Sequence, residues 1–181
     1  MQTSSRDIVY LQRNCMPHMV PSGARILLHE GTEVAIVQSL GNTFTVNVYG
    51  NLARIEGADA DALGKEPINI LDELPVDASL EDKVWALLKR VFDPEIPVNI
   101  VDLGLIYACR VEEIDDDVFS VFIEMTLTAP GCGMGPFIAE DVKLSIESIP
   151  QVQKVEVEFV FEPAWDQSRM SEEAKLDLGM L

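Results

Sequence analysis

From Val118 to Pro136 the chain passes from a strand, through a glycine-rich turn holding one cysteine, into a helix. Phe119, Val121, Ile123, Met125 and Leu127 fall on alternate positions, so one face of this segment is apolar and must be buried. A strand of that kind is not stable alone and demands sheet neighbours and a covering layer. It runs directly into Thr128-Ala129-Pro130-Gly131-Cys132-Gly133-Met134-Gly135-Pro136. Glycines on both sides of Cys132 remove side-chain cover and free the backbone, so the thiol is open to close approach. A helix start beside it offers N–H groups and the positive end of a dipole, which favour thiolate over thiol. Cys132 is the first candidate for chemistry.

The segments around this strand predict an α+β (α/β) domain over residues 79–181. Ser79 is a good N-cap, with Glu81 and Asp82 in the first turn and Leu80, Val84, Leu87, Leu88 and Val91 forming an apolar stripe. Pro94 stops that helix. Leu103 to Val111 reads as a strand joined to Val118–Thr128 in a hairpin. A helix from about Pro136 to Ser148 buries Ile138, Val142, Ile146 and Ile149. Val155, Val157, Phe159 and Phe161 then alternate as a third strand, and Ser171 caps a short last helix ending at Gly179. The order α-β-β-α-β-α implies a small mixed sheet with helices packed on one face.

The first part reads differently. Residues 22–57 form a small all-β extension, a meander whose runs Glu33–Leu40, Thr43–Tyr49 and Ala53–Glu56 are parted by Gly41-Asn42 and Gly50-Asn51. Residues 1–21 are a poorly patterned N-terminal segment, and residues 58–78 a linker.

Charge narrows the partners. There are 13 basic and 31 acidic residues, a net charge of −18, so a nucleic-acid surface is not expected. No run of 18 apolar residues exists to span a membrane, and the first 20 residues lack an apolar signal core. Three cysteines without close spacing point to a reducing cytoplasm, not a disulfide framework. Cys109 shares a face with Leu105, Tyr107 and Val111 and reads as core. Cys15, beside Met16-Pro17-His18-Met19, reads as part of a frayed terminus, with a soft-metal cluster as the other reading.

A cysteine enzyme would need a base near Cys132, yet both histidines, His18 and His29, precede residue 79. Three scattered cysteines also cannot supply four thiolates to a cluster within one chain. Any iron–sulfur cluster held here would take further ligands from a second subunit, a small thiol or a client. The loop after the first helix carries Asp93, Glu95 and Asp102 between stiffening prolines. These acids either reach toward the cysteine, to bind metal or tune the thiol, or cap turns, which is the commoner fate in so acidic a chain.

Asp93-Pro94-Glu95-Ile96-Pro97, Asp102-Leu103-Gly104-Leu105-Ile106 and Thr128-Ala129-Pro130-Gly131-Cys132 occur in the order seen in one family. Residues 79–163 resemble the iron–sulfur assembly domain of SufT-type proteins and of the eukaryotic cytosolic iron–sulfur targeting factor. Trp165-Asp166 with Met170–Lys175 looks like the C-terminal signature of the SufT branch, and Gly50–Leu52 and Asp59–Gly64 look like its N-terminal extension. The resemblance implies a non-enzymatic accessory factor in iron–sulfur protein maturation, with Cys132 as ligand or contact for iron or a transient iron–sulfur cluster. Its implied partners are cluster carriers or a scaffold and apo client proteins, and self-association is common among such domains. Asp93, Glu95, Asp102 and Thr128 carry over as positions shaping the cysteine's surroundings, beside Gly131 and Gly133. The alternative function is an adaptor that docks a carrier to clients without binding metal; Cys132→Ser would then leave partner capture intact.

Overall fold

The computed structural model describes residues 7–20, 22–40, 43–67, 69–93, 96–131 and 133–180, and the chain divides into two units, Met1–Ile70 and Leu71–Leu181.

In the first unit, strands β1 (Asp7–Tyr10), β2 (His18–Met19), β3 (Glu33–Leu40), β4 (Thr43–Val48) and β5 (Asn51–Glu56) form one sheet in the order β1-β3-β4-β5-β2. Every pairing is antiparallel. Strict alternation in β4 turns Phe44, Val46 and Val48 inward while Thr43, Thr45 and Asn47 stay half-buried. The β4–β5 hairpin closes on Tyr49 and Gly50, with φ of 51° and 83°, so the turn lies one residue earlier than Gly50-Asn51 suggests. Two positive φ angles match the twist of the flanking strands, at a conformational cost carried by the non-glycine Tyr49.

Two readings of the sequence differ here. The unpatterned N-terminal segment contributes β1 and β2 to the sheet, and Leu11 and Cys15 to the core. The start of the expected linker is a 3-10 helix, Gly57–Leu63, whose Ala60, Ala62 and Leu63 close the same core. Arg13 ties the two together, donating to Asp61 at 2.6 and 2.7 Å and to Asp59 at 2.8 Å. Short strands and a 3-10 turn leave no long periodic pattern, so neither could be read from spacing.

In the second unit the elements run α1 (Leu80–Leu88), β6 (Ile106–Asp115), β7 (Val118–Met125), α2 (Gly135–Glu147), β8 (Val152–Phe159) and α3 (Glu172–Asp177). Ser79 and Asp82 form a reciprocal capping box at the start of α1. The sheet is mixed, in the order β6-β7-β8: β6 and β7 are an antiparallel hairpin, while β7 and β8 run parallel with α2 as the crossover. Val121, Ile123 and Met125 of β7 are buried with Val84, Leu87 and Leu88 of α1 and Ile138, Val142 and Ile146 of α2. The opposite face carries Arg110, Glu124, Lys154 and Glu156, with Arg110 stacked 4.6 Å from the Phe122 ring. The register Ile106↔Met125↔Phe159 brings the start of β6 and the ends of β7 and β8 to one edge, where the sequence motifs lie.

Candidate functional site

Three segments converge on that edge. The first is the loop between α1 and β6. Phe92 bridges Asn99, the Asp93 amide donates to the Val98 carbonyl at 3.2 Å, and the Ile100 amide donates to the Val91 carbonyl at 2.9 Å. Val98, Ile100, Leu103 and Leu105 are buried beneath it. The Leu105 carbonyl accepts the Thr126 amide at 2.8 Å, stitching this loop to the end of β7.

Within it the acids have local partners. Asp93, itself buried, accepts the Ile96 amide on Oδ1 at 3.0 Å. Asp102 Oδ2 accepts the Asn99 amide group at 2.6 Å, while Asn99 Oδ1 accepts the amides of Val101 and Asp102. These are turn-forming bonds of the kind short polar side chains make. Glu95 lies outside the described residues. Among the described residues no three His, Cys, Asp or Glu side chains gather to hold a metal ion.

The second segment is the turn from Thr128 to Met134. Its base is closed by Leu127, Gly135 and Phe159: a Cβ on Gly135 would stand 2.9 Å from Leu127 Cδ1 and 3.6 Å from Phe159 Cζ. Above that base Thr128 is half-buried, and Ala129, Pro130, Gly131 and Gly133 are exposed. Gly131 has φ +79°, a left-handed angle that favours glycine, with open space where a side chain would stand. Gly133 faces open space without that backbone demand. The sequence sets Cys132 between these two glycines; it lies outside the described residues. Helix α2 begins just beyond, with no side-chain cap at Met134 and no acid in its first turn, so the positive end of its dipole is not offset locally.

The third segment, residues 163–178, resembles the SufT branch in sequence and holds the short helix that Ser171 is expected to cap, which is α3. It folds back over Asp102–Tyr107. The Trp165 indole donates to the Leu103 carbonyl at 2.7 Å, Tyr107 donates its hydroxyl proton to the Pro163 carbonyl at 2.7 Å, and the Ser171 amide donates to the Asp102 carbonyl at 2.8 Å. Arg169 stacks 4.5 Å from the Tyr107 ring, and Met170 and Ala174 are buried. Gly104, with φ +75°, lies directly beneath the Arg169 backbone, so a side chain there would collide with it. Asn99, Gly104, Trp165 and Ser171 therefore shape the acidic loop. Sequence reasoning missed Asn99, whose signal is an amide three residues before an aspartate at a loop end.

The other thiols have different surroundings. Cys15 is a core residue bridged to Leu28 and not frayed, and burial raises its pKa, with the charge of Asp59 adding to the effect. Cys109 is half-buried on β6, and burial, aided by Glu81, pushes its thiol up to about 11. Both are neutral at physiological pH.

A mixed three-stranded sheet with an acidic loop and a glycine-flanked cysteine loop at one edge defines an iron–sulfur assembly domain. The chain belongs to the family described as iron-sulfur cluster assembly protein, which residues 81–159 match. Among its relatives, an "Fe-S protein maturation auxiliary factor" of Porphyromonas gingivalis is 48% identical over 101 residues, which cover 56% of this chain and 92% of that protein. The "Fe-S protein maturation auxiliary factor SufT" of Staphylococcus aureus is 44% identical over 90 residues, 50% of this chain and 98% of that protein. The crystal structure of a domain of unknown function, DUF59, from Bacillus anthracis superposes with a TM-score of 0.51 at 40% identity, covering 56% of this chain and 93% of that one. The family match lies wholly in the second unit and does not reach Gly50–Leu52 or Asp59–Gly64. Among the described residues no helix is long and apolar enough to cross a membrane.

Proposed function

We propose that this chain is an accessory factor in iron–sulfur protein maturation, with Cys132 as the thiolate that contacts iron or a labile cluster on its way to apoproteins. The observation that carries this reading is the pair of exposed glycines, Gly131 and Gly133, just before the uncapped start of α2 and beyond the ends of β7 and β8. Thiolate is the soft ligand that iron–sulfur clusters take. Cys15 and Cys109 are poor candidates, since burial keeps both protonated. One thiolate leaves the remaining cluster positions to a second copy, a small thiol or the client, and such sharing suits transfer better than storage. On this reading the partners are cluster carriers or a scaffold and apo clients in the cytoplasm, and a cluster shared between two copies gives a homo-oligomeric loaded form. Asp93, Glu95, Asp102 and Thr128 shape the surroundings of the thiol.

Anaerobic reconstitution with ferrous iron and sulfide tests the reading. The expected result is a labile cluster at less than one per chain, lost in Cys132→Ser together with support of client iron–sulfur enzymes in cells lacking the wild-type protein. A Cys132→Ser protein that binds iron and supports those enzymes like wild type would overturn it. A variant that loses the cluster yet retains partner capture and client support would establish the adaptor instead.

A further inference from the structure

Helix α1 carries a feature that the cysteine loop does not use. The preceding segment, residues 74–78, turns back along the helix through an Ala78 amide bond to the Pro75 carbonyl at 2.9 Å. Nearby, Glu73 and Arg90, the latter just past the end of α1, pair at 3.6 Å. Between segment and helix lies an open groove of about 470 Å³. Pro75, Trp85 and Ala86 provide its apolar lining; Asp77, Asp82 and Lys89 provide its charges.

The charges are ordered along the groove. Asp82, Trp85 and Lys89 are spaced three and four residues apart, so they share one helix face. At the helical rise, Asp82 and Lys89 stand about 10 Å apart along the axis. Asp77 lies on the segment just before the N-cap, beside the Asp82 end. The groove is thus acidic at the start of α1, aromatic in the middle and basic where α1 leads into the acidic loop.

We infer that this groove docks an extended, proline-containing segment of a partner protein that carries an arginine and, three residues later, a glutamate or aspartate. Arginine suits the acidic end because its guanidinium can take up two carboxylates while its stem lies across the indole. A polyproline II backbone returns to the same face every three residues after about 9 Å, which matches the separation of the two charged ends. Aromatic-lined grooves are the surfaces on which such segments dock. The acidic partner residue then meets Lys89. This inference stands independently of any role for Cys132, since the groove lies on α1 and the 74–78 segment.

The test uses the full chain and the blocked peptide Arg-Pro-Pro-Glu, followed through the indole N–H resonance of Trp85. The Trp165 indole, bonded to the Leu103 carbonyl, is the internal reference. The expected result is a saturable shift confined to Trp85, with the neutral peptide Gln-Pro-Pro-Gln binding roughly three- to tenfold more weakly. Lys89→Glu, at an exposed position, should lose affinity for Arg-Pro-Pro-Glu by a few-fold and gain it for Arg-Pro-Pro-Arg. Equal binding of charged and neutral peptides would reduce the groove to a nonspecific apolar cleft and overturn the inference. So would an unmoved Trp85 signal, or a Lys89→Glu protein whose preference does not reverse.

Discussion

Three glycines within five residues of one another do different work, and each can be tested alone. Gly131 is needed for its backbone angle of +79°, so Gly131→Ala should cost about 1–2 kcal/mol despite the open space around it. Gly135 is needed for packing, because a methyl there would press on Leu127, and Gly135→Ala should cost a similar amount, about 1–3 kcal/mol. Gly133 has neither constraint, and Gly133→Ala should lie within about 0.5 kcal/mol of wild type in urea unfolding. A large loss at Gly133, or none at Gly131, would contradict these assignments. If Gly133→Ala folds normally yet impairs cluster loading, its missing side chain serves the cargo and not the fold. The flanking glycines single out Cys132 in the sequence, whereas nothing local marks the burial of Cys15. That burial depends on pairing with Leu28, a contact that no local pattern announces.

Among the elements, the C-terminal segment is the most open to attack. Gly104→Ala should prise residues 163–178 away from the acidic loop, because the new methyl would occupy the place of the Arg169 backbone. Hydrogen exchange at the Ser171 amide, which is bonded to the Asp102 carbonyl, should then accelerate toward that of an exposed amide. Unchanged protection at Ser171 would show that the segment is held by other means. Helices α1 and α2 and strands β4 and β7 were legible because each buries one face of a regular repeat. The C-terminal segment lacks such a repeat. Beyond the readable Ser171 cap, its hold consists of single bonds, one cation–π contact and the buried Met170 and Ala174, and these leave no periodic mark.

At the scale of the molecule, the two units can be probed separately, the first of them by acid. In the first, the hydrogen bond from Arg13 lowers the pKa of Asp61 below its ordinary 3.8. A lowered carboxylate stabilises the folded state above its unfolded value, and that contribution disappears as pH falls through the folded one. Asp61→Asn should therefore weaken the first unit modestly near neutrality, since the pair is exposed, and the difference from wild type should close as pH falls below 3.8 and through the folded value. An acid titration by circular dichroism in which the gap persists at the lowest pH would refute the assignment. The second unit has its own timetable. Its β6–β7 hairpin closes through the two residues Asp116 and Asp117, whereas Trp165 reaches Leu103 across 62 residues. Loop closure over that distance is the slower event. The hairpin beside the acidic loop therefore closes over a far shorter stretch of chain than the clasp that fastens that loop, and a protein whose clasp has slipped keeps the hairpin's own bonds.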